Sequence, residues 1–324
     1  MRTIDKTDRK ILLALDTDAR ASYSQIGKKI GIGKNNVQYR VKRLVDSGVI
    51  KKFVVQPSLA QLGLFLGKIY LQLSGYTDKE YKELISYLKK NSEISWVART
   101  EGRWDLMLGA YVQDMQQFVK IKKEFFHKFE KFIASYDIVF LAEGHTSQRT
   151  YLLDEKKTPT KIKEFMSNAR ETVSYDQYKL LHYIANNARF KYTDLANHFN
   201  INIKTAQKRI KELESKGIIQ GYVTFLDPKK IGHQFFKLCI YLNNHQSLNS
   251  IIDYCLELPN VIHAIENLGP WEIELEIETE SLEDFYQLTH KIRNDHSDVI
   301  KKTESVLISD EIKLDFFPEW LIKN

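Results

Sequence analysis

Apolar residues between positions 8 and 53 occur at helical spacing in three short groups, which polar residues or glycines separate. The groups are Ile11, Leu12 and Leu15; Ile26 and Ile30; and Val37, Val41 and Leu44. This spacing predicts three amphipathic helices, the second with an N-cap at Ser24 and a stop at Gly31. Two short helices joined by a glycine-containing turn are typical of a helix-turn-helix. The segment 48–53 then predicts a strand that begins a wing or hairpin.

The same pattern recurs between residues 177 and 222 at one constant offset and without a gap. Repeated positions include Ala19-Arg20 and Ala188-Arg189, Tyr23 and Tyr192, Val37 and Ala206, Val41 and Ile210, and Leu44 and Leu213. Asn202 supplies an N-cap where the first copy has Gly33. Because an internal repeat defines the architecture, the sequence predicts two helix-turn-helix domains on one chain.

Each helix-turn-helix is followed by a segment in which strand and helix patterns alternate. The order is βαββαβ in both copies, from KIYLQLS to DIVFLAE in the first and from FFKLCIYL to ESVLISDEIKL in the second. This order is the ferredoxin-like pattern, so the predicted fold class is α+β, with two copies of a winged helix-turn-helix domain followed by a ferredoxin-like domain. The predicted boundaries are 1–55 and 60–152 for the first copy, 153–172 for a linker, and 173–224 and 230–320 for the second copy.

Composition narrows the class of protein. A chain of 324 residues exceeds the roughly 100 to 200 residues of one domain. Its net charge of +6 and its pI near 8.9 fit a polyanion partner, but they also fit many ordinary proteins. Cys239 and Cys255 lie outside any CxxC or Cys/His cluster, so we expect neither a disulfide framework nor a zinc site. No apolar run approaches the roughly 18 residues that span a membrane, so we expect a cytoplasmic protein with no membrane partner.

The third predicted helix of each copy carries candidate DNA contacts on its outer face. Asn and Gln can bind adenine edges in a major groove, and Lys and Arg can bind phosphates. We expect base contacts first from Asn35, Asn36 and Tyr39. The predicted phosphate contacts are Lys34, Arg40 and Arg43, and the other predicted contacts are Gln38, Lys204, Thr205, Gln207, Lys208 and Arg209. In the second copy Glu212 and Glu214 oppose the basic residues, so we expect weaker DNA binding or a different sequence preference.

The segment DRKILLALDTDARASYSQIGKKIGIGKNNVQYRVKRLVDSGVIKKF resembles the DNA-binding domain of the leucine-responsive/asparagine-regulator (Lrp/AsnC) family of bacterial and archaeal transcription factors. The βαββαβ segments resemble that family's ligand-sensing domain. The resemblance implies a sequence-specific regulator that binds double-stranded DNA, pairs its βαββαβ units sheet against sheet and responds to a small molecule such as an amino acid. It implies ligand contacts at Gly102, Asp105, Gly269 and Glu272. Two copies on one chain leave open a homo-oligomer or an internal pseudo-dimer.

Five glutamates alternate with other residues in the stretch 272–280 and would share one face of a strand. We expect this face to be exposed or salt-bridged, because charges on an open sheet face are ordinary. Two further interpretations stay open. The row could bind a divalent or organic cation, or it could pair with basic side chains of the first copy, such as Lys68, Arg99 or Arg103.

Two other functions also stay open. Some double-copy proteins with this layout are sirohaem decarboxylases with a His-Asn-Tyr element, of which the matching stretches here, SWVARTE and VIHAIEN, retain only His263. We expect His145, His263 and His290 to be surface or packing residues, because a lone histidine lacks an orienting partner. No P-loop, GxSxG or dinucleotide fingerprint occurs, so we expect no enzyme and no cofactor. The other alternative is a ligand-sensing subunit that joins another regulator and does not contact DNA.

Overall fold

The structure, a computed structural model, describes residues 4–153, the backbone of 163–164 and residues 171–323. Its two halves contain the same order of long helices and strands, as the internal repeat predicts. The predicted linker at 153–172 lies almost entirely outside the described residues. The α+β fold class with two winged helix-turn-helix and two ferredoxin-like units is confirmed.

The elements of the first half are α1 (Lys6–Thr17), α2 (Tyr23–Ile30), α3 (Lys34–Asp46), β1 (Ile50–Pro57), β2 (Phe65–Leu73), α4 (Asp78–Lys90), β3 (Trp96–Gly102), β4 (Leu106–Val112), α5 (Met115–Phe129) and β5 (Ile133–Thr146). Those that follow are β6 (Lys163–Glu164), α6 (Tyr175–Ala185), α7 (Tyr192–His198), α8 (Ile203–Ser215), β7 (Ile219–Leu226), β8 (Gln234–Leu242), α9 (Leu248–Glu257), β9 (Val261–Leu268), β10 (Ile273–Thr279), α10 (Leu282–Asp295) and β11 (Ile300–Leu314).

Side-chain caps fix where the short helices begin and end. Helix α2 begins after Ser22, whose hydroxyl accepts a hydrogen bond from Gln25 N at 3.2 Å, so the predicted N-cap at Ser24 is wrong by two positions. The Gln25 side chain accepts from Ser22 N in return, and this reciprocal capping box outweighs a hydroxyl placed inside the first turn. Gly31 ends the helix with φ 78°, as predicted. Asn202 caps α8, also as predicted.

The strand after each helix-turn-helix pairs with its counterpart in the other copy. Strands β1 and β7 form a two-stranded antiparallel sheet, here called the ribbon. The strand prediction was correct, and the strand expected to begin a wing or hairpin takes its partner from the other half of the chain. The ribbon continues into the helices, since Ala19 N donates to Tyr222 O at 3.0 Å and Ala188 N donates to Phe53 O at 2.8 Å.

The duplicated arginines complete this pairing. Arg20 donates to Ala188 O at 2.6 Å and lies 4.0 Å from the centre of the Phe190 ring. Arg189 donates to Ala19 O at 2.7 Å and lies over the ring of Tyr23. Each copy thus gives the other the same contacts, which is the geometry of a two-fold dimer interface. The repeated Ala-Arg pair holds the two helix-turn-helix units together.

The two ferredoxin-like units share one closed sheet, here called the barrel. Its eight strands follow the order β2-β4-β3-β11-β8-β10-β9-β5, and β5 returns to pair with β2. Strand β11 joins β3, with Val306 opposite Gly102, and β5 joins β9, with Phe140 opposite Leu268. The units therefore join strand edge to strand edge, which differs from the sheet-against-sheet pairing that the family resemblance implied. Closure leaves no unpaired edge in the ring.

Helices cover the outside of the barrel, and buried polar and aromatic side chains occupy its inside. Phe118 and Phe125 of α5 pack with Leu106 and Leu108 of β4 on the outer face of the first unit. The second unit repeats this arrangement with α9 and α10. Strand residues are consequently buried on both faces, because one face meets helices and the other meets the barrel interior.

Candidate nucleic-acid interface and barrel interior

The first recognition helix, α3, presents a polar outer surface. Val37, Val41 and Leu44 are buried against α1 and α2, as the apolar stripe predicts. The exposed predicted contacts are Lys34, Asn35, Asn36, Gln38 and Tyr39. Tyr39 is 64% exposed, so its ring and hydroxyl are accessible to a partner. The helix therefore offers amide, hydroxyl and ammonium groups together on one accessible face.

Arg40 and Arg43 turn away from this face toward α1. Arg40 Nη1 lies 2.7 Å from an oxygen of Asp5 and 2.8 Å from an oxygen of Asp8. Arg43 forms an ion pair with the other Asp8 oxygen. Asp8 is fully buried, so these arginines neutralise a carboxylate that burial would otherwise make costly. Both were expected on the outer face, and local periodicity could not reveal a partner in another helix.

The second recognition helix, α8, has the same buried stripe and a different outer surface. Lys204, Gln207 and Lys208 are exposed, and Thr205 and Arg209 are half-buried. At the positions of Asp8 and Arg43 this copy has Gln177 and Glu212, so the arginine–aspartate cluster is not repeated. Within the described part of the chain Arg209 forms no ion pair, unlike its counterpart Arg40.

The acidic residues of α8 are partly neutralised. Lys208 Nζ lies 3.8 Å from Glu212 Oε1. The Tyr222 hydroxyl donates to Glu214 at 2.5 Å, which draws that carboxylate toward the ribbon. Burial, followed by the Glu214 carboxylate, raises the pKa of Tyr222. Glu214 thus opposes the outer basic residues less than its position in the sequence suggested.

The glutamate row of β10 lies inside the barrel. Glu274 and Glu278 are buried because the closed sheet has no open face. Of the two expected states, exposed or salt-bridged, the structure therefore shows the salt-bridged one. Lys68 Nζ lies 2.8 Å from Glu274, which agrees with the predicted pairing to a basic side chain of the first copy. Lys237 contacts both Glu274 and Glu276, the latter at 2.6 Å. Sequence analysis overlooked Lys237, although it occupies the repeat position of Lys68.

The ammonium groups determine the charge of this cluster. Burial alone would raise the pKa of Glu274, but Lys237 and Lys68 outweigh it and lower that pKa to about 2. Burial opposes ionisation of Glu276 too, yet Lys237 and His263 hold its pKa well below the usual range. His263 Nδ1 lies 2.5 Å from Glu276 Oε2, so this histidine has an orienting partner that the sequence did not reveal. His145 lies 3.4 Å from Glu143.

The other two predicted basic partners lie elsewhere. Arg99 Nε donates to the Tyr81 hydroxyl at 2.9 Å. Arg103 forms ion pairs with Glu304 and, at 3.1 Å, with Asp137. Neither arginine has an ion pair with the β10 row among the described residues, so of the three candidate partners Lys68 is the one that pairs with it.

A second buried ion cluster joins the first helix-turn-helix to the barrel. Arg149 Nη1 lies 2.7 Å from Asp16 at the end of α1, and Arg149 Nε lies 2.9 Å from Glu278 of β10. The Tyr151 hydroxyl also donates to Glu278. Burial disfavours the charged guanidinium, but Glu278 and Asp16 together raise the pKa of Arg149. This cluster was not predicted, since no local pattern marks Arg149.

The loops proposed as ligand contacts hold neighbouring strands. Asp105 Oδ2 accepts from Leu73 N at 2.7 Å, and Glu272 Oε2 accepts from Leu242 N at 2.8 Å. Gly102 has φ 137°, which favours glycine. A side chain at Gly269 would be crowded, because an added Cβ would lie 3.0 Å from Ile138 O. These roles are structural, and a ligand contact at either loop stays a prediction.

A cavity of about 170 Å³ lies between the ribbon and one end of the barrel. The ribbon contributes Val54, Val223 and Phe225, and barrel strands contribute Trp96 and Glu311 among others. The described residues contain no group of three or more His, Cys, Asp or Glu side chains arranged to hold a metal ion. In the same part of the chain no helix is long and apolar enough to cross a membrane.

Both helix-turn-helix units match a known domain family. The sequence model of winged helix-turn-helix DNA-binding domains matches residues 4–51 and again residues 177–220. An uncharacterized HTH-type transcriptional regulator of Pyrococcus horikoshii is 35% identical over 122 residues, which are 36% of this chain and 79% of that protein. The HTH-type transcriptional regulator Ptr1 of Methanocaldococcus jannaschii is 32% identical over 125 residues, which are 37% of this chain and 80% of that protein.

The chain belongs to the HTH-type transcriptional regulators, in a tandem Lrp/AsnC-like form. The alignment with each relative covers little more than one third of this tandem regulator. This share is expected if the tandem regulator carries two copies of the relatives' layout. The crystal structure of the siroheme decarboxylase NirDL superimposes over 98% of both chains with a TM-score of 0.62 and 11% identity. At that identity, the similarity shows that the tandem regulator shares the whole double-copy fold.

Proposed function

We propose that this regulator is of the Lrp/AsnC type and binds double-stranded DNA sequence-specifically, with α3 and α8 in successive major grooves of one operator. The ribbon and the reciprocal Arg20 and Arg189 contacts carry the proposal, because they hold two helix-turn-helix units in one dimer-like arrangement. Dimers of this motif place their recognition helices one helical turn of DNA apart or a multiple of it. The internal pseudo-dimer is thus the proposed binding unit.

The exposed residues of α3 and α8 divide into base and phosphate contacts in this proposal. Asn35, Asn36, Gln38 and Tyr39 contact bases, and Lys34 contacts a phosphate near the helix start. On α8 the proposed contacts are Lys204, Thr205, Gln207, Lys208 and Arg209. Arg40 and Arg43 act by holding α3 against α1, since Asp8 engages both guanidinium groups.

Selection of genomic DNA fragments by the purified full chain tests this function. We expect an enriched motif with two unlike half-sites, and one chain per operator in sedimentation. Lys34→Ala should weaken binding to every sequence and lower the salt slope by about 1, whereas Asn36→Ala should change the preferred sequence. Lys120→Ala, at an exposed lysine on α5, is the matched control and should change neither. A chain that retains no DNA would support the ligand-sensing partner subunit instead.

A small-molecule effector, such as an amino acid, is the proposed regulator of DNA binding. The Lrp/AsnC-like layout supports it, with Gly102, Asp105, Gly269 and Glu272 as the proposed edge of the site. A thermal-shift screen of free amino acids measures it directly. The expected hit raises the melting temperature of the wild type, and a screen without any shift would contradict this part of the proposal.

A sirohaem decarboxylase-like enzyme is the second candidate, because the NirDL fold covers 98% of this chain. The sequence argues against it, because the stretches that match the His-Asn-Tyr element retain only His263. That histidine is held by Glu276, whose Oε2 lies 2.5 Å from His263 Nδ1. Incubation with sirohaem followed by absorption spectroscopy should show no change. A new product spectrum would replace the regulator proposal.

A further inference from the structure

The cavity between the ribbon and the barrel has the size of a small organic molecule. Its volume is about 170 Å³, and a protein cavity of about 150 Å³ lined by apolar side chains can bind benzene. Both copies contribute to its wall, through Val54 and Leu66 of the first and Val223 and Phe235 of the second. A molecule in this space would contact the ribbon and the barrel interior at once.

Most of the cavity wall is apolar and aromatic. Its apolar lining includes Trp96, Leu141, Phe225, Leu226, Leu314 and Phe316. A ligand that fits this wall has a compact apolar body, since polar groups facing these side chains would lose hydration without gaining hydrogen bonds.

Several charged side chains of the wall already have an oppositely charged partner. Lys68 contacts Glu274, and Arg149 contacts Glu278 and Asp16, so both wall cations have carboxylate partners. Glu276 is likewise bound by Lys237 and His263.

Glu311 differs from these groups. Its carboxylate accepts a hydrogen bond from the indole N–H of Trp96, at 3.4 Å, and it has no ion pair among the described residues. Burial, followed by the nearby Glu276 carboxylate, raises the pKa of Glu311 to about 7. Lys51 and Lys237 act in the opposite direction without reversing this shift. The cavity therefore presents one carboxyl group without a cation partner beside an apolar wall.

We propose that this cavity binds a small organic ammonium ligand whose apolar body lies against Trp96, Phe225 and Leu314 and whose ammonium group forms an ion pair with Glu311. An ammonium donates hydrogen bonds to an ionised carboxylate, and such charged hydrogen bonds are stronger than neutral ones. A carboxylate ligand is disfavoured, because Lys68 and Arg149 are already engaged. The site differs from the loop edges proposed for an amino-acid effector, and it goes beyond the DNA-binding function.

Benzylamine and its neutral isostere benzyl alcohol are the probes. Calorimetric titration of the full chain without DNA, at a pH above 7 where Glu311 is ionised, should show benzylamine binding about tenfold more tightly than benzyl alcohol. Glu311→Gln should reduce the affinity for benzylamine to that for the alcohol. Glu283→Gln, at an exposed glutamate on α10, is the matched control and should leave both affinities unchanged.

Leu314→Phe provides a second variant, because it reduces the cavity volume without removing a charge. It should weaken binding of both probes in a chain that still melts cooperatively. Absence of benzylamine binding at millimolar concentration would overturn the proposal, and so would equal affinity for the two probes or an unchanged benzylamine affinity in Glu311→Gln. Because these measurements contain no DNA, none of the outcomes bears on the proposed DNA binding, which is tested separately.

Discussion

The two recognition helices, α3 and α8, have equivalent buried stripes and different outer surfaces. Val37, Val41 and Leu44 correspond to Ala206, Ile210 and Leu213, and all six are buried. The outer surfaces differ, since Asp8 pairs with two arginines in the first copy, whereas its counterpart Gln177 forms a helix cap in the second. Packing requires each helix to fit its own domain, but it does not dictate the solvent face, which is free to diverge.

The barrel interior shows the same contrast in a buried setting. Lys68 and Lys237 are equivalent lysines, yet Lys68 lies opposite Gly109 whereas Lys237 lies opposite Glu276. Both lysines form their ion pairs with glutamates of the second copy: Lys68 with Glu274, and Lys237 with Glu274 and Glu276. The duplicated units have therefore become complementary, and each half needs the other for charge balance.

The largest expected effect comes from the lysine pair. Lys237→Met leaves Glu274 and Glu276 short of a cation and should destabilise the protein by about 4 kcal/mol, because breaking a buried ion pair leaves an uncompensated charge. Lys68→Met should cost about half as much, since Glu274 keeps Lys237. Urea denaturation of both variants measures the difference. Equal losses would mean that the two lysines are interchangeable.

The aspartate of the first helix-turn-helix gives the next effect. Asp8→Ala leaves Arg40 and Arg43 without their buried partner and should reduce stability by about 3 kcal/mol. Gln177→Ala is the matched change in the second copy and removes one capping contact, so it should cost about 1 kcal/mol or less. Thermal denaturation compares the two variants. A larger loss of stability in Gln177→Ala than in Asp8→Ala would contradict the view that Asp8 is the more important of the two for stability.

Acid should destabilise the barrel through the second copy's carboxylates. The pKa of Glu274 falls from its ordinary value of 4.5 to about 2 in the folded chain. The resulting stabilisation is present above pH 4.5 and is lost as pH falls toward 2, and it amounts to about 3 kcal/mol at most. Stability measured across this window should decline less in Glu274→Gln than in the wild type. Parallel curves would contradict an ionised Glu274.

The smallest expected effect separates the two arginines at equivalent positions. Arg209→Ala should lower the salt slope of DNA binding by about 1 with little change in stability. Arg209 has no ion pair among the described residues, and the carboxylate it influences, Asp176, is exposed. Arg40→Ala should instead lower stability, since it contacts Asp5 and Asp8. Salt-dependent DNA titration combined with denaturation measures both. A stability loss in Arg209→Ala alone would invert the comparison.

Short-range pattern was sufficient to predict the helices, the strands, their order and the repeat. Period 3.6 and period 2 are set by neighbouring residues, so they can be recognised in the sequence alone. Gly31 and the Asn202 cap followed from the same local chemistry. The N-cap was misplaced because the spacing of Ser22 and Gln25, which form a reciprocal cap, was overlooked. That spacing is visible in the sequence and distinguishes Ser22 from Ser24.

Long-range contacts set the limit of prediction. Lys68 and Glu274 are 206 positions apart, and Arg20 and Ala188 are 168 apart. No periodicity specifies which strand edge meets which, so the ribbon, the closed barrel and the Arg149 cluster appeared only in three dimensions. One signal was available: the repeated Ala-Arg pair lies outside the apolar stripes, and it proved to be the contact between the copies.

The ribbon has a consequence for how this regulator behaves on dilution. In a homodimer, falling protein concentration separates the subunits, and identical subunits favour palindromic operators. Here one polypeptide supplies both strands of the ribbon, so the second recognition helix is already in place beside the first at any concentration. Under the proposed function, such a chain can occupy a non-palindromic operator at low copy number, each half free to follow its own half of the site.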